Sequence, residues 1–131
     1  MLARLKARHA ALETALETLD RLSRKPTPDR AQLASARLAL SQASAQRTRC
    51  LSDEVFPAVI AADNAAACES VRALRSEGAQ LRARSAEHVA AWSIDRAIDD
   101  WPGYCRASAD LRAAMRDRLR RERALLYPVL D

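Results

Sequence analysis

Apolar residues recur along this chain at alternating spacings of three and four, the period of an amphipathic α-helix. Breaks divide the pattern into four long stretches. The first break lies at Pro26 and Pro28, because two prolines one residue apart cannot lie inside a helix. The predicted helices cover residues 2–23, 28–61, 64–92 and 101–127. Four such helices joined by short loops predict an up-down-up-down four-helix bundle.

Capping residues mark the ends of these helices. Thr27 is expected to cap helix two, and the pair Asp63 and Asn64 is expected to cap helix three. After helix three, Ser93 predicts the start of a short helical segment over residues 94–99. Helix four is expected to end before Pro128, because proline cannot continue a helix.

Four polar residues interrupt the apolar seams of the predicted helices. His9 lies on the leucine seam of helix one, and Arg47 lies on the seam of helix two. Arg118 and Glu122 lie on the seam of helix four. Because an unpaired buried charge costs several kcal/mol, these side chains must meet one another or reach solvent. We therefore expect a polar cluster inside the bundle.

Composition supports one all-α domain over residues 1–131. Hydrophobic residues make up 49% and charged residues 30%, which is a globular balance. The aromatic residues that favour strands amount to only 4%. No Ser-His-Asp, Cys-His or paired-carboxylate arrangement emerges from the seams, so we do not expect an enzyme. The three cysteines are widely spaced and odd in number, so we expect reduced core thiols.

The net charge of +5 comes largely from helix four. Four arginines recur there at spacings of three and four and are expected to face solvent; this basic face consists of Arg112, Arg116, Arg120 and Arg123. Acidic residues are interleaved with it, and no aromatic platform accompanies it, which argues against a nucleic-acid site. The basic face is either a docking surface for an acidic protein partner or ordinary solvated surface.

Neither a membrane span nor a leader is visible in the sequence. No apolar run approaches the ~20 residues that a membrane helix needs. Residues 1–9 contain no continuous apolar segment of the signal-peptide type. We therefore expect a cytoplasmic protein without a membrane partner.

Several motifs resemble hemerythrin-like domains, also called HHE cation-binding domains. Residues 122–130 (ERALLYPVL) are similar to the closing motif of that family, and residues 55–59 are a fainter copy. His9 resembles the opening histidine of the family, and residues 100–104 (DWPGY) resemble a stretch found in a bacterial branch of it. The resemblance covers nearly the whole chain.

The resemblance implies a di-iron site with histidines on all four helices and glutamates on helices two and four. The matching positions here hold His9, Arg47, Leu51, Gly78, Arg118 and Glu122. Only His9 and Glu122 keep a ligand-type side chain, so they are the remaining metal candidates. A guanidinium cannot lose its proton near neutral pH and cannot ligate a cation. The chain therefore resembles a member of the family whose metal site is degenerate.

His88 is the other histidine to consider as a metal ligand. It follows Glu87 on the inward seam of helix three, as in the family's Glu-His pair. At 1.5 Å per residue, however, it lies roughly 20 Å along the bundle from Arg118. We expect His88 to pack beneath Trp92 and Tyr104 instead.

Two functions follow from these observations. The first is a metal-free, cofactor-free binding or regulatory module, in which Glu122 pairs with Arg47 or Arg118 and His9 acts as a neutral hydrogen-bond partner. The alternative is what the unaltered family would imply, a non-haem iron protein that binds or senses oxygen, nitric oxide or iron. Iron content separates the two.

Overall fold

The computed structural model describes all residues from 1 to 131, and all of its regular elements are helices. Its elements are α1 (Leu2–Ser23), α2 (Arg30–Cys50), a π-helix (Leu51–Val55), α3 (Phe56–Ala61), α4 (Ala65–Ala91), α5 (Ile94–Asp99) and α6 (Trp101–Leu130). The all-α prediction is confirmed. No helix is both long and apolar enough to cross a membrane.

The helix caps agree with the sequence at two of three positions. Asn64 accepts a hydrogen bond from the Ala67 N–H at 3.0 Å, and Ser93 accepts one from Arg96 at 3.1 Å. The prediction for Thr27 is wrong, because the carboxylate of Asp29 caps α2 by accepting from the Gln32 N–H. Both Thr27 and Pro28 precede the helix.

The predicted end of the last helix is also wrong. α6 continues through Pro128 to Leu130. A proline inside a helix removes one main-chain hydrogen bond and crowds the carbonyl group four residues earlier. Leu126 is fully buried, and Leu125 and Leu130 contact the same apolar cluster, so side-chain burial holds the last turn in place.

A π-helical turn lies where the sequence predicted continuous α-helix. The Phe56 N–H donates to the Leu51 carbonyl, five residues back. The extra residue changes which side chains face inward, so Phe56 and Val59 are buried while Ala58 is only half-buried. Single π-turns of this kind are frequent near functional sites.

The core lies between packed helices, some consecutive in the chain and some distant. α1 contacts α2 and α6, while α4 contacts α6 and α3. The leucine seam of α1 is buried as predicted, from Leu5 to Leu22. Cys50 is buried as expected, but Cys68 and Cys105 are only half-buried, so they are not core thiols in the predicted sense.

The second half of α4 is less enclosed than the first. Val71, Leu74 and Gly78 are buried, whereas Leu81 and Ser85 are half-buried. Two cavities lined by residues of α2 and α4 lie along this part of the helix, and Ser85 lines both of them. The inward face of α4 is therefore not fully covered by neighbouring helices in this region.

Candidate functional site

Glu122 lies at the centre of a buried cluster and has no exposed surface. His9 Nε2 donates to its Oε1 at 2.8 Å. Arg47 Nη1 donates to its Oε2 at 2.7 Å, and Arg118 Nε donates to the same oxygen at 2.6 Å. The structure thus brings together His9, Arg47, Arg118 and Glu122, which we call the ionic cluster. Both arginines pair with Glu122, whereas the sequence analysis predicted that one or the other would do so.

Tyr127 completes the surroundings of His9. Its hydroxyl lies 2.6 Å from His9 Nδ1, and the two rings stack with centroids 5.6 Å apart. An ionised Glu122 only accepts hydrogen bonds, so His9 Nε2 carries the proton between them. In the neutral imidazole, Nδ1 then accepts from the Tyr127 hydroxyl. Sequence reasoning missed this role, because Tyr127 follows the buried Leu126 and lies off the seam.

Arg118 reaches across to α4 as well as to Glu122. Its Nη1 donates to the Leu74 carbonyl at 2.6 Å. A Cβ atom on Gly78 would lie only 3.0 Å from Arg118 Nη2, so the glycine leaves room for this guanidinium. Glu77 is 3.7 Å from Arg118 but pairs more closely with Arg121, at 2.8 Å. The buried Glu122 is therefore the main counter-charge of Arg118.

Arg47 is less completely satisfied. Its Nη2 donates to Ser44 Oγ at a long 3.5 Å, and its buried Nε has no partner in the protein. Burial lowers the pKa of Arg47 despite the carboxylate of Glu122, and the charge of Arg118 lowers it further. The cluster thus holds two positive charges against one negative charge.

The same contacts keep Glu122 ionised. Burial by itself would raise the pKa of this carboxyl, but the hydrogen bond from His9 and the charges of Arg47 and Arg118 lower it below its usual 4.5. A carboxyl whose pKa is lowered by folding stabilises the fold above its ordinary pKa. That contribution is lost as the pH falls through the folded pKa.

We expect the free energy of unfolding to fall below pH 4.5, with Glu122 contributing up to ~1.4 kcal/mol per pH unit. Glu122→Gln should flatten this acid limb, because the amide has no proton to take up. Chemical denaturation at a series of pH values measures the slope. Equal slopes for the two proteins would show that Glu122 titrates normally.

The residues present do not fit the di-iron centre that the resemblance implies. No group of three or more His, Cys, Asp or Glu side chains could hold a metal ion. Both oxygens of Glu122 are occupied by donors, and two guanidinium charges lie beside them. Leu51 and Gly78 line one cavity with Arg47 and Arg118, so the implied positions converge but offer no further ligand.

His88 lies apart from the ionic cluster. It lines the second cavity, of about 460 Å³, with its ring centroid 5.8 Å from that of Tyr104. Trp92 contacts the same tyrosine at 5.9 Å between centroids. Burial and then the charge of Arg37 lower the pKa of His88. Its surroundings match the expected aromatic packing beneath Trp92 and Tyr104.

Of the four arginines of the basic face, only Arg120 is exposed as predicted. Arg112 is only 6% exposed and contacts Asp20 of α1, as does Arg116. Arg120 pairs with a neighbouring aspartate and Arg123 with a glutamate of α1. Since α6 contacts α1, part of this face turns inward and most of its charge is balanced.

No protein-family model, curated protein or solved structure matches this chain. The likeness to hemerythrin-like domains therefore rests on the sequence motifs alone, and it stays a prediction.

Proposed function

We propose that this chain is a metal-free binding or regulatory module and not an enzyme. In this proposal it is an up-down-up-down bundle of the hemerythrin-like kind, in which an ionic cluster takes the place of the di-iron site. One observation carries the proposal: His9, Arg47 and Arg118 together occupy both oxygens of Glu122.

Electrostatics argue for a metal-free interior. A cation entering the cluster must displace two guanidinium groups that stay charged at any physiological pH. Removing the arginines from Glu122 leaves them buried and unpaired, which costs several kcal/mol. The alternative, a non-haem iron protein, requires this release before Glu122 can ligate a metal.

Helix lengths and contacts support the bundle. Residues 30–61 form one nearly continuous helical stretch, comparable with α1, α4 and α6. α1 contacts α2 and α6, and α4 contacts α3 and α6, as expected of neighbours in such a bundle. The ionic cluster draws its side chains from three of these stretches.

Restoring the implied ligands should restore iron binding. The variant Arg47→His, Leu51→Glu, Gly78→His and Arg118→His adds four ligand-type side chains to His9 and Glu122. Arg118→His also vacates the space that an imidazole at position 78 would need, since Arg118 now lies against Gly78. After anaerobic loading with iron(II) and exposure to air, we expect bound iron and a near-ultraviolet oxo-bridge absorption band in the variant only.

A matched control carries Arg47→Gln and Arg118→Gln, which removes the charges without adding ligands and should bind no iron. If the four-residue variant keeps its helical circular dichroism but gains no iron, the assignment to the hemerythrin-like family is wrong. If the unaltered chain binds iron as the variant does, the metal-free function is wrong.

A further inference from the structure

A cavity of about 310 Å³ opens beside the ionic cluster, between α2, the π-helix and α4. Four guanidinium groups line it, and no carboxylate does; they belong to Arg47, Arg75, Arg82 and Arg118. We call it the arginine cavity. Its walls therefore carry strong positive charge without an acidic residue facing them.

Little of this charge is balanced within the protein. Glu122 serves both Arg47 and Arg118. Arg82 and Arg75 have no carboxylate within ion-pair distance, and Arg75 lies over the Phe56 ring at 5.4 Å. Arg121, by contrast, pairs with Glu77. Two of the four arginines of the cavity therefore have no counter-charge within the protein.

Two of the guanidinium groups converge on one place. A Cβ atom on Gly78 would lie 3.0 Å from Arg118 Nη2 and 3.3 Å from Arg82 Nη1. Both guanidinium groups thus lie against the same backbone position, and like charges repel most strongly away from bulk water. An anion bound between the two guanidinium groups would attract both of them and offset their mutual repulsion.

One polar group of the arginine cavity is buried and still lacks a partner. Arg47 is only 5% exposed, it lines the arginine cavity, and its Nε has no acceptor in the protein. A buried donor without an acceptor is costly. This donor therefore requires an acceptor from outside the chain, and either water or a bound anion can supply it.

Hydroxyl groups and apolar side chains form the rest of the wall. Thr48, Ser52 and Ser85 supply hydroxyls, and Leu81 and Phe56 supply apolar surface. Guanidinium groups and hydroxyls together suit a tetrahedral oxyanion, which accepts hydrogen bonds from many directions. A carboxylate has only two oxygens and a single charge, so it would leave more of these donors unpaired.

We propose that the arginine cavity binds a phosphate group, either free or as the monoester of a small organic molecule. Arg82, Arg47 and Arg118 would contact the phosphate, with Arg75 at the rim. The inference rests on the proposed metal-free function, because a metal bound to Glu122 would displace Arg47 and Arg118 from that carboxylate. In this proposal, the ligand of the binding module is a phosphate or a phosphate monoester.

Isothermal titration calorimetry at constant ionic strength tests the site with inorganic phosphate, phenyl phosphate and benzoate. We expect saturable binding of at least one phosphate, and weaker binding of benzoate. Tighter binding of phenyl phosphate indicates an ester as the ligand, and tighter binding of inorganic phosphate indicates the free ion. If neither phosphate binds, or if benzoate binds as tightly, the proposal is wrong.

Arg82→Gln tests the location, since Arg82 is exposed and lies outside the ionic cluster. The loss of a charge-assisted contact should weaken phosphate binding by about tenfold or more. Arg106→Gln is the matched control, because Arg106 is an exposed arginine of α6 outside the cavity. It removes the same charge and should change affinity by less than about twofold. Equal losses in the two variants would overturn the site.

This test fails separately from that of the proposed function. Absence of phosphate binding in an iron-free protein removes only the ligand assignment. Iron in the unaltered chain contradicts the metal-free function, whatever the calorimetry gives.

Discussion

Replacing Glu122 by alanine is expected to lower the free energy of unfolding by about 3–5 kcal/mol. The substitution leaves Arg47 and Arg118 buried without their shared carboxylate, and His9 Nε2 loses its acceptor. Removing one partner of a buried ion pair costs more than the pair contributes, because the remaining charge stays desolvated. Urea denaturation followed by circular dichroism measures the loss.

Glu17→Ala is the matched control for this substitution. Glu17 is an exposed glutamate in the interior of α1, so its replacement should cost less than ~0.5 kcal/mol. If Glu122→Ala is as mild as the control, Glu122 is not buried between two arginines. The ionic cluster would then be wrong.

Replacing the whole ionic cluster should have the opposite outcome. A variant with His9→Leu, Arg47→Met, Arg118→Met and Glu122→Leu exchanges the cluster for apolar side chains of similar size. Such exchanges of buried ion pairs are often neutral or stabilising by about 1–4 kcal/mol, because no charge has to be desolvated. We expect this variant to be at least as stable as the parent chain, and several kcal/mol more stable than Glu122→Ala.

The comparison separates stability from function. The apolar variant should fold but lose phosphate binding, since it lacks two of the four cavity arginines. If it is as unstable as Glu122→Ala, the cluster supplies specific stability that apolar side chains cannot replace. That result would contradict the expectation that removing the buried charges together costs no stability.

The members of the ionic cluster could be predicted from the sequence because the helical period places all four on the apolar seams. His9, Arg47, Arg118 and Glu122 interrupt apolar seams, and all four are buried. Their need for partners follows from the cost of burying charge. Tyr127 and the Leu74 carbonyl escaped prediction, because one lies off the seam and the other is a main-chain group.

Features that depend on how helices lie against each other could not be predicted. Arg112 is turned inward by Asp20, ninety-two positions away on α1. The π-helix at Leu51–Val55 shifts the buried face of the following residues by one position. The spacing of apolar residues in the sequence does not indicate this shift. The arginine cavity is formed by α2 and α4 together, so neither helix reveals it alone.

Iron content tests the central claim most directly. The chain should be produced in iron-supplemented medium, purified in air and examined by elemental analysis. Because His9, Arg47 and Arg118 occupy the oxygens of Glu122, we predict well under one iron per chain. Two irons per chain would contradict the account.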